Sequence, residues 1–202
     1  MEWKDKIEDE SCADELEELI TDYVKAGFLS DDQILTECEQ YMEDFYSDAC
    51  DQITKDELLA VIKAFRKTLQ NTGSQENFLQ LDAVFRSLMK QGVVALHYAG
   101  YTQSDGFEDC NEAAAWLEKK GEKVIGCCFY TQQDLEHILH GDGALLRFSF
   151  GNYFEQPTAE EVGQRIVDAL RSAGFCVQWD GTADTKIAIQ DFQWDKYYTD
   201  GE

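Results

Sequence analysis

At 202 residues, with 44% hydrophobic and 12% aromatic content, the chain is long enough to bury a sizeable core, which excludes disorder as its default state. The single proline argues against a linker-rich or low-complexity chain. The net charge of -24 repels phosphate backbones and anionic lipid surfaces, so neither direct nucleic-acid binding nor membrane binding is expected.

Leu16, Leu19, Ile20, Tyr23 and Val24 recur at helical spacing opposite Asp14, Glu15, Glu17, Glu18 and Asp22, which predicts an amphipathic helix closed by Gly27. Ser30 with Gln33 reads as a capping box opening a second helix, with Ile34, Leu35, Cys38, Tyr41, Met42 and Phe45 on its inner face. Thr54 with Glu57 repeats the device for a third, facing Leu58, Val61, Ile62, Phe65 and Leu69 inward. The polar stretch from Gln70 to Asn77 is the expected linker, and Phe78, Leu81, Phe85 and Leu88 mark a fourth helix.

After Gly92 the period changes. Val93 to Tyr98 is apolar on both faces, as expected for a strand inside a sheet rather than at its edge. The segment from Leu96 to Cys110 reads as a loop ending at Asp109, which with Glu112 would cap a helix bearing Ala113, Trp116 and Leu117. Lys123 to Tyr130 predicts a second strand, Thr131 with Asp134 a short helix, and Ala144 to Phe150 a third strand. Thr158 with Glu161 opens a helix carrying Val162, Ile166, Val167 and Leu170 and ending at Gly174. Phe175 to Trp179 and Lys186 to Ile189 then form two short-looped, antiparallel strands. The expected class is α/β or α+β: a helical N-terminal half packed on a small mixed β-sheet with flanking helices. Residues 1–77 would be an acidic helical region and 78–202 a mixed domain, the two forming one cooperative unit.

Seven cysteines with no CxxC pair predict reduced thiols, and no apolar run reaches membrane-spanning length. The opening segment lacks the plan of a secretory leader, so the expected location is cytoplasmic.

No Walker lysine, GxGxxG, GxSxG or EF-hand loop is present, and no cofactor is expected. His137 and His140 lie one turn apart, with Cys110 or Asp134 as further ligand types, but that spacing is common by chance and no metal is expected. The loop from Leu96 to Cys110 concentrates polar chemistry: His97, Tyr98, Tyr101, Gln103, Asp105, Asp109 and Cys110 are candidate ligand-binding residues. Cys110 in the first turn of a helix, with His97 as base, would make a thiol enzyme, although Asp105, Glu108, Asp109 and Glu112 oppose a thiolate there.

The acidity is uneven: residues 1–57 hold 20 acids against 4 bases, whereas residues 58–90 hold 2 against 5. Glu15, Glu18 and Asp22, with a second cluster at Glu43, Asp44, Asp48 and Asp51, are candidate partner-binding residues. Trp194 joins them from an aromatic tail that also holds Phe192, Tyr197 and Tyr198. The leading expectation is therefore a binding protein, not an enzyme, that neutralises or regulates a basic protein partner, as an immunity protein or enzyme inhibitor does. The competing expectation is a small-ligand or thiol-dependent enzyme using the loop from His97 to Cys110.

The segments KAGFLSDDQIL, VVALHYAGYTQSDGFED, FYTQQDLEHIL, LLRFSFG and VQWDGTADTKIAI resemble an uncharacterised bacterial family known only as a domain of unknown function. The resemblance covers most of the chain and implies a bacterial origin and one unit spanning both halves. It implies no activity, cofactor or catalytic residue.

Overall fold

The computed structural model describes residues 3–70, 73–141 and 145–199. Ala144, expected to open the third strand, lies outside them, as do residues 71 and 72 of the expected linker. The described residues form an α+β fold with seven α-helices and a five-stranded mixed sheet, helical in its N-terminal half. The chain divides into two compact units: the N-terminal stretch through Gln75 with the tail from Asp195 onward, and Glu76–Trp194.

The first unit contains α1 (Glu10–Ala26), α2 (Asp31–Phe45) and α3 (Lys55–Leu69). Asp9 caps α1 by accepting from the Ser11 and Cys12 amides, and Gly27 ends it in the left-handed conformation at φ 74°. Both expected capping boxes form, Ser30 with Gln33 on α2 and Thr54 with Glu57 on α3. The inner stripes of the three helices meet in one core, built on Leu16, Ile20, Ile34, Cys38, Leu58 and Ile62. Each such side chain contributes about 1.5–3 kcal/mol on burial. The stripes stop short of the helix ends: Phe45, expected inside, is 69% exposed, and Leu69 is exposed too. Each is the last residue of its helix, one turn beyond the layer that its neighbours can cover.

Arg66 fastens this unit at a second point. Its guanidinium donates to the Leu29 carbonyl at 2.8 Å and to Gln70 at 3.0 Å, pairs with Asp31, and lies 5.0 Å from the Tyr198 ring.

The second unit runs α4 (Glu76–Lys90), β1 (Val93–Leu96), α5 (Gln103–Lys119), β2 (Gly126–Phe129), α6 (Gln132–Leu139), β3 (Leu146–Asn152), α7 (Ala159–Ser172), β4 (Val177–Gln178) and β5 (Ile187–Ile189). The sheet order is β1-β2-β3-β5-β4; β1 and β2 are parallel, and the remaining pairs, including the expected final one, are antiparallel. The expectation that the first strand lies inside the sheet is corrected: β1 is an edge strand. It is apolar on both faces because both α4 and α5 pack on it. Two-sided covering, which the pattern does report, is a different property from having two strand neighbours.

The helix of β1's crossover also begins earlier than expected. Thr102 and Asp105 form its capping box, so α5 starts at Gln103 and Asp109 lies within it. The shift rotates the face that is buried to Gly106, Cys110, Ala114 and Leu117, and leaves Trp116 56% exposed beneath the Lys120 ammonium, 3.2 Å from its ring centroid.

Glu57 supplies a pH test of the helical unit. The Lys6 ammonium, then the Thr54 amide at 3.0 Å and the Thr54 hydroxyl at 2.9 Å, hold its carboxyl down from 4.5 to about 2. A depressed carboxyl stabilises the fold above its unfolded value and loses that contribution as pH falls through its folded value. Chemical denaturation should therefore show Glu57→Gln less stable than wild type at neutral pH, with the gap closing between about pH 4.5 and 2; a gap independent of pH contradicts the assignment.

Candidate functional site

The expected site is the chain between β1 and α5. Tyr98 adopts φ 55° and Gly100 φ 56°, so the backbone twice enters the left-handed region within three residues. For a residue such as Tyr98 this costs on the order of 1 kcal/mol, and strain of this kind persists only where its surroundings enforce it. They do so through the second strand: the Ala99 amide donates to the Tyr130 carbonyl at 3.0 Å, and the Gln132 amide donates to the Gly100 carbonyl at 3.1 Å. The turn that follows β1 is thus stitched to the turn that follows β2.

His97 points to the α4 side. Its ring stacks on Phe85 with centroids 4.3 Å apart and 15° between planes, and Phe78 lies 5.0 Å away. Nδ1 is 3.0 Å from the Tyr130 hydroxyl, and Nε2 faces Asp82 Oδ1 at 3.5 Å. Burial, followed by the neighbouring Tyr98 and Asp82 charges, pushes the Tyr130 hydroxyl well above its ordinary value. The hydroxyl therefore stays protonated and is a hydrogen-bond partner of Nδ1. Arg86 completes the chain, its Nε 2.7 Å from Asp82. The sequence pattern did not single out Asp82 and Tyr130; the polar Asp82 between Leu81 and Phe85 of an otherwise apolar helix face was the available signal.

Cys110 faces the other way. It is 0% exposed and packs with Val94, Ala114, Leu117, Cys127 and Phe129, with Leu96 against the same cluster. Contact with Cys127 and then burial push its thiol up, away from the thiolate. His97 rests on Phe85 of α4 while Cys110 lies beneath α5, so the expected pairing of nucleophile and base is corrected: the two occupy opposite faces of the sheet. The cysteine is not at a helix N-terminus, because α5 begins seven residues before it.

The remaining loop candidates do not converge either. Asp105 caps its own helix: the Thr102 amide and then the Thr102 hydroxyl, at 2.8 and 2.9 Å, hold its carboxyl below the usual range. Tyr101 is half-exposed and Gln103 and Asp109 are exposed, while Tyr98 is half-buried in the turn. Among the described residues no cluster brings His137 and His140 together with Cys110 or Asp134. Asp134 is committed to Thr131 at its own helix cap and to Lys186, whose Nζ is 2.8 and 2.9 Å from its two oxygens.

The partner-binding candidates separate more informatively. Asp22 is buried, a correction to its place on the exposed face of α1. Trp194 is half-buried and packs on its own unit, its ring 5.8 Å from Phe78, 6.0 Å from Tyr130 and 6.2 Å from Phe192. Glu18 remains exposed. Glu15 accepts from the Tyr46 hydroxyl at 2.8 Å and from Tyr41, holding α1 to the end of α2; the bond raises Tyr46 to about 12, and burial, followed by the bond, raises Tyr41. The second cluster is different. Glu43, Asp48 and Asp51 are exposed and make no ion pair among the described residues, and Asp44 accepts only from Gln40 on its own helix at 2.9 Å.

Two clefts open at this corner. One, of about 310 Å³, has the buried Met42, Ile53 and Leu58 at its base and Glu39, Glu43, Asp51 and Lys55 as charged lining, with Lys55 paired to Glu39 at 2.7 Å. The other, of about 300 Å³, is lined by Glu8, Asp9, Asp48 and the exposed ring of Phe45. A family model described as a domain of unknown function, DUF6891, matches residues 9–198. The chain belongs to the DUF6891 family. No curated protein and no solved structure matches it. The DUF6891 match spans all three helices of the acidic corner as well as the sheet. No helix of the described DUF6891 chain is long and apolar enough to cross a membrane.

Two outcomes check this arrangement. With a thiol reagent and mass spectrometry, exposed Cys176 should label in the native protein while Cys110 and Cys127 label only on unfolding; Cys110 labelling as fast as Cys176 would contradict its burial. Gly106→Ala would set a methyl group 2.2 Å from the Phe129 ring and 2.9 Å from the Ala99 carbonyl. Denaturant titration should show a loss of roughly 1–3 kcal/mol from this overpacking.

Proposed function

We propose that this protein binds and thereby neutralises or regulates a basic protein partner, as an immunity protein or enzyme inhibitor does, and that it docks through the corner where α2 gives way to α3. The observation that carries the reading is Phe45, 69% exposed in the lining of one acidic cleft, with Glu43 of the same helix end lining a second. Phe45 is the most exposed large hydrophobic side chain among the described residues, and aromatic rings serve as anchors at protein interfaces. Its flanking carboxylates Glu43, Asp48 and Asp51 are not consumed by internal ion pairs among the described residues. A lysine or arginine of the partner can bring its charged end to Glu43 and Asp51 while apolar groups of the partner cover the exposed Phe45 ring. The acid surplus of residues 1–57 adds long-range attraction toward a positive cleft, which accelerates encounter and competes with an anionic substrate of the partner.

The division of labour between ring and charges makes the reading testable. A pulldown from lysate of the source cell at low salt should retain a basic protein that Glu43→Lys/Asp51→Lys does not retain. With that partner purified, the charge-reversed variant should associate about tenfold more slowly, with a flatter dependence on salt. Phe45→Ala should instead speed dissociation by about tenfold. Equal capture of every protein by wild type and the charge-reversed variant across the salt range would overturn the proposal.

A further inference from the structure

The cleft of the sheet unit that is lined by Lys90, Lys123 and Arg165 has the opposite character to the acidic corner. We infer that this cleft is a binding site for a small organic oxyanion carrying two or more negative charges, such as a phosphomonoester or a polycarboxylate. Its volume is about 440 Å³, within the range of small-molecule sites and larger than an inorganic ion requires. Met89, Ile125 and Pro157 supply apolar wall for the body of such a ligand.

Three unanswered cations converge on one cleft, and they carry the inference. This chain has 41 acids for 17 bases; Lys4, Lys6, Lys55, Arg66, Arg86 and Lys186 hold carboxylates, whereas others, such as Lys63, Lys67 and Arg147, make no ion pair among the described residues. Lys90, Lys123 and Arg165 make no ion pair among the described residues although they line one cleft. Glu122 lines it too, without coming within ion-pair distance of any of them. Three exposed cations on the walls of one cleft, in a strongly acidic chain, offer a multivalent anion several charge-assisted contacts at once.

The backbone explains why the cations converge. Lys90 ends α4 just before β1, and Lys123 stands just before β2. The Ile125 amide donates to the Gly92 carbonyl at 2.8 Å, which ties together the segments that lead into the two strands. Gly92 has φ 84°, and a Cβ there would lie 2.6 Å from the Lys123 carbonyl oxygen, so only glycine allows the approach. Arg165 reaches the same cleft from α7. The two lysines are thereby attached to a defined scaffold at the N-terminal ends of the parallel strands, away from the turns that hold His97 and Tyr130.

The site is independent of the docking proposal, since no residue is shared. Isothermal titration with inorganic phosphate, glycerol phosphate and citrate, at ionic strength matched with chloride, tests it directly. Glycerol phosphate or citrate should bind saturably at one site and more tightly than inorganic phosphate, and the better of the two identifies the anion's source. Lys90→Gln/Lys123→Gln/Arg165→Gln, all exposed positions, should weaken that binding at least about tenfold with unchanged circular dichroism. Glu122→Gln should tighten it, because it removes a repelling carboxylate. No saturable binding beyond the chloride control, or equal binding by the triple variant, overturns the inference.

Discussion

The sheet unit depends on the pair of backbone hydrogen bonds that join the turn after β1 to the turn after β2, from the Ala99 amide to the Tyr130 carbonyl and from the Gln132 amide to the Gly100 carbonyl. Leu96 and Phe129 are register partners at the ends of the two parallel strands. From Phe129 the chain needs only Tyr130 before the helix cap at Thr131; from Leu96 it takes five residues, His97 to Tyr101, before the cap at Thr102. The longer turn folds along the shorter one and continues the pairing after the ladder has ended. That geometry calls for the left-handed Tyr98 and Gly100, sends His97 over Phe85, and starts α5 where Gly106 can meet the Phe129 ring.

The same two turns carry a short internal repetition, Tyr101-Thr102-Gln103-Ser104-Asp105 against Tyr130-Thr131-Gln132-Gln133-Asp134. In both, threonine accepts from the aspartate amide and the aspartate accepts from the threonine amide. Each helix start therefore supplies its own anion, which removes the reason to place a ligand anion there. The two tyrosines show how context overrides sequence: Tyr130 is wholly buried and bonded to His97, whereas Tyr101, displaced outward by the longer turn, is half-exposed.

Most helices and all five strands are legible in the sequence because capping boxes and apolar periodicity are local signals. The start of α5 is the exception. Thr102 with Asp105 and Asp109 with Glu112 both satisfy a capping pattern, and the second stands nearer the apolar residues and so attracts the assignment. The repetition of Thr131 to Asp134 in Thr102 to Asp105 is the signal that decides between them. The misplaced start carries into the site, since a helix begun at Asp109 exposes Cys110 at a terminus, while one begun at Gln103 turns it into the core. The opposite faces of His97 and Cys110, and the edge position of β1, follow from tertiary pairing and have no counterpart in local pattern. Phe45 belongs to the same class: periodicity assigns it a face but does not report that its helix outruns the layer beneath it.

The charge distribution has a corresponding limit and a corresponding use. A net charge of -24 describes the whole chain, but its consequences depend on which groups are answered internally. On α1, Asp14 and Glu17 answer Lys4 and Glu15 answers two tyrosines, so much of that acidic face is engaged in holding the helices together. At the end of α2 the acids are unanswered and stand beside an exposed ring; at the N-terminal ends of β1 and β2 the bases are unanswered and stand beside apolar wall. Unanswered charge next to apolar surface offers a partner both attraction and area to bury, which a uniformly solvated face does not. That distinction singles out the two surfaces from an otherwise acidic exterior, and it is the reason for proposing ligands of opposite sign for them.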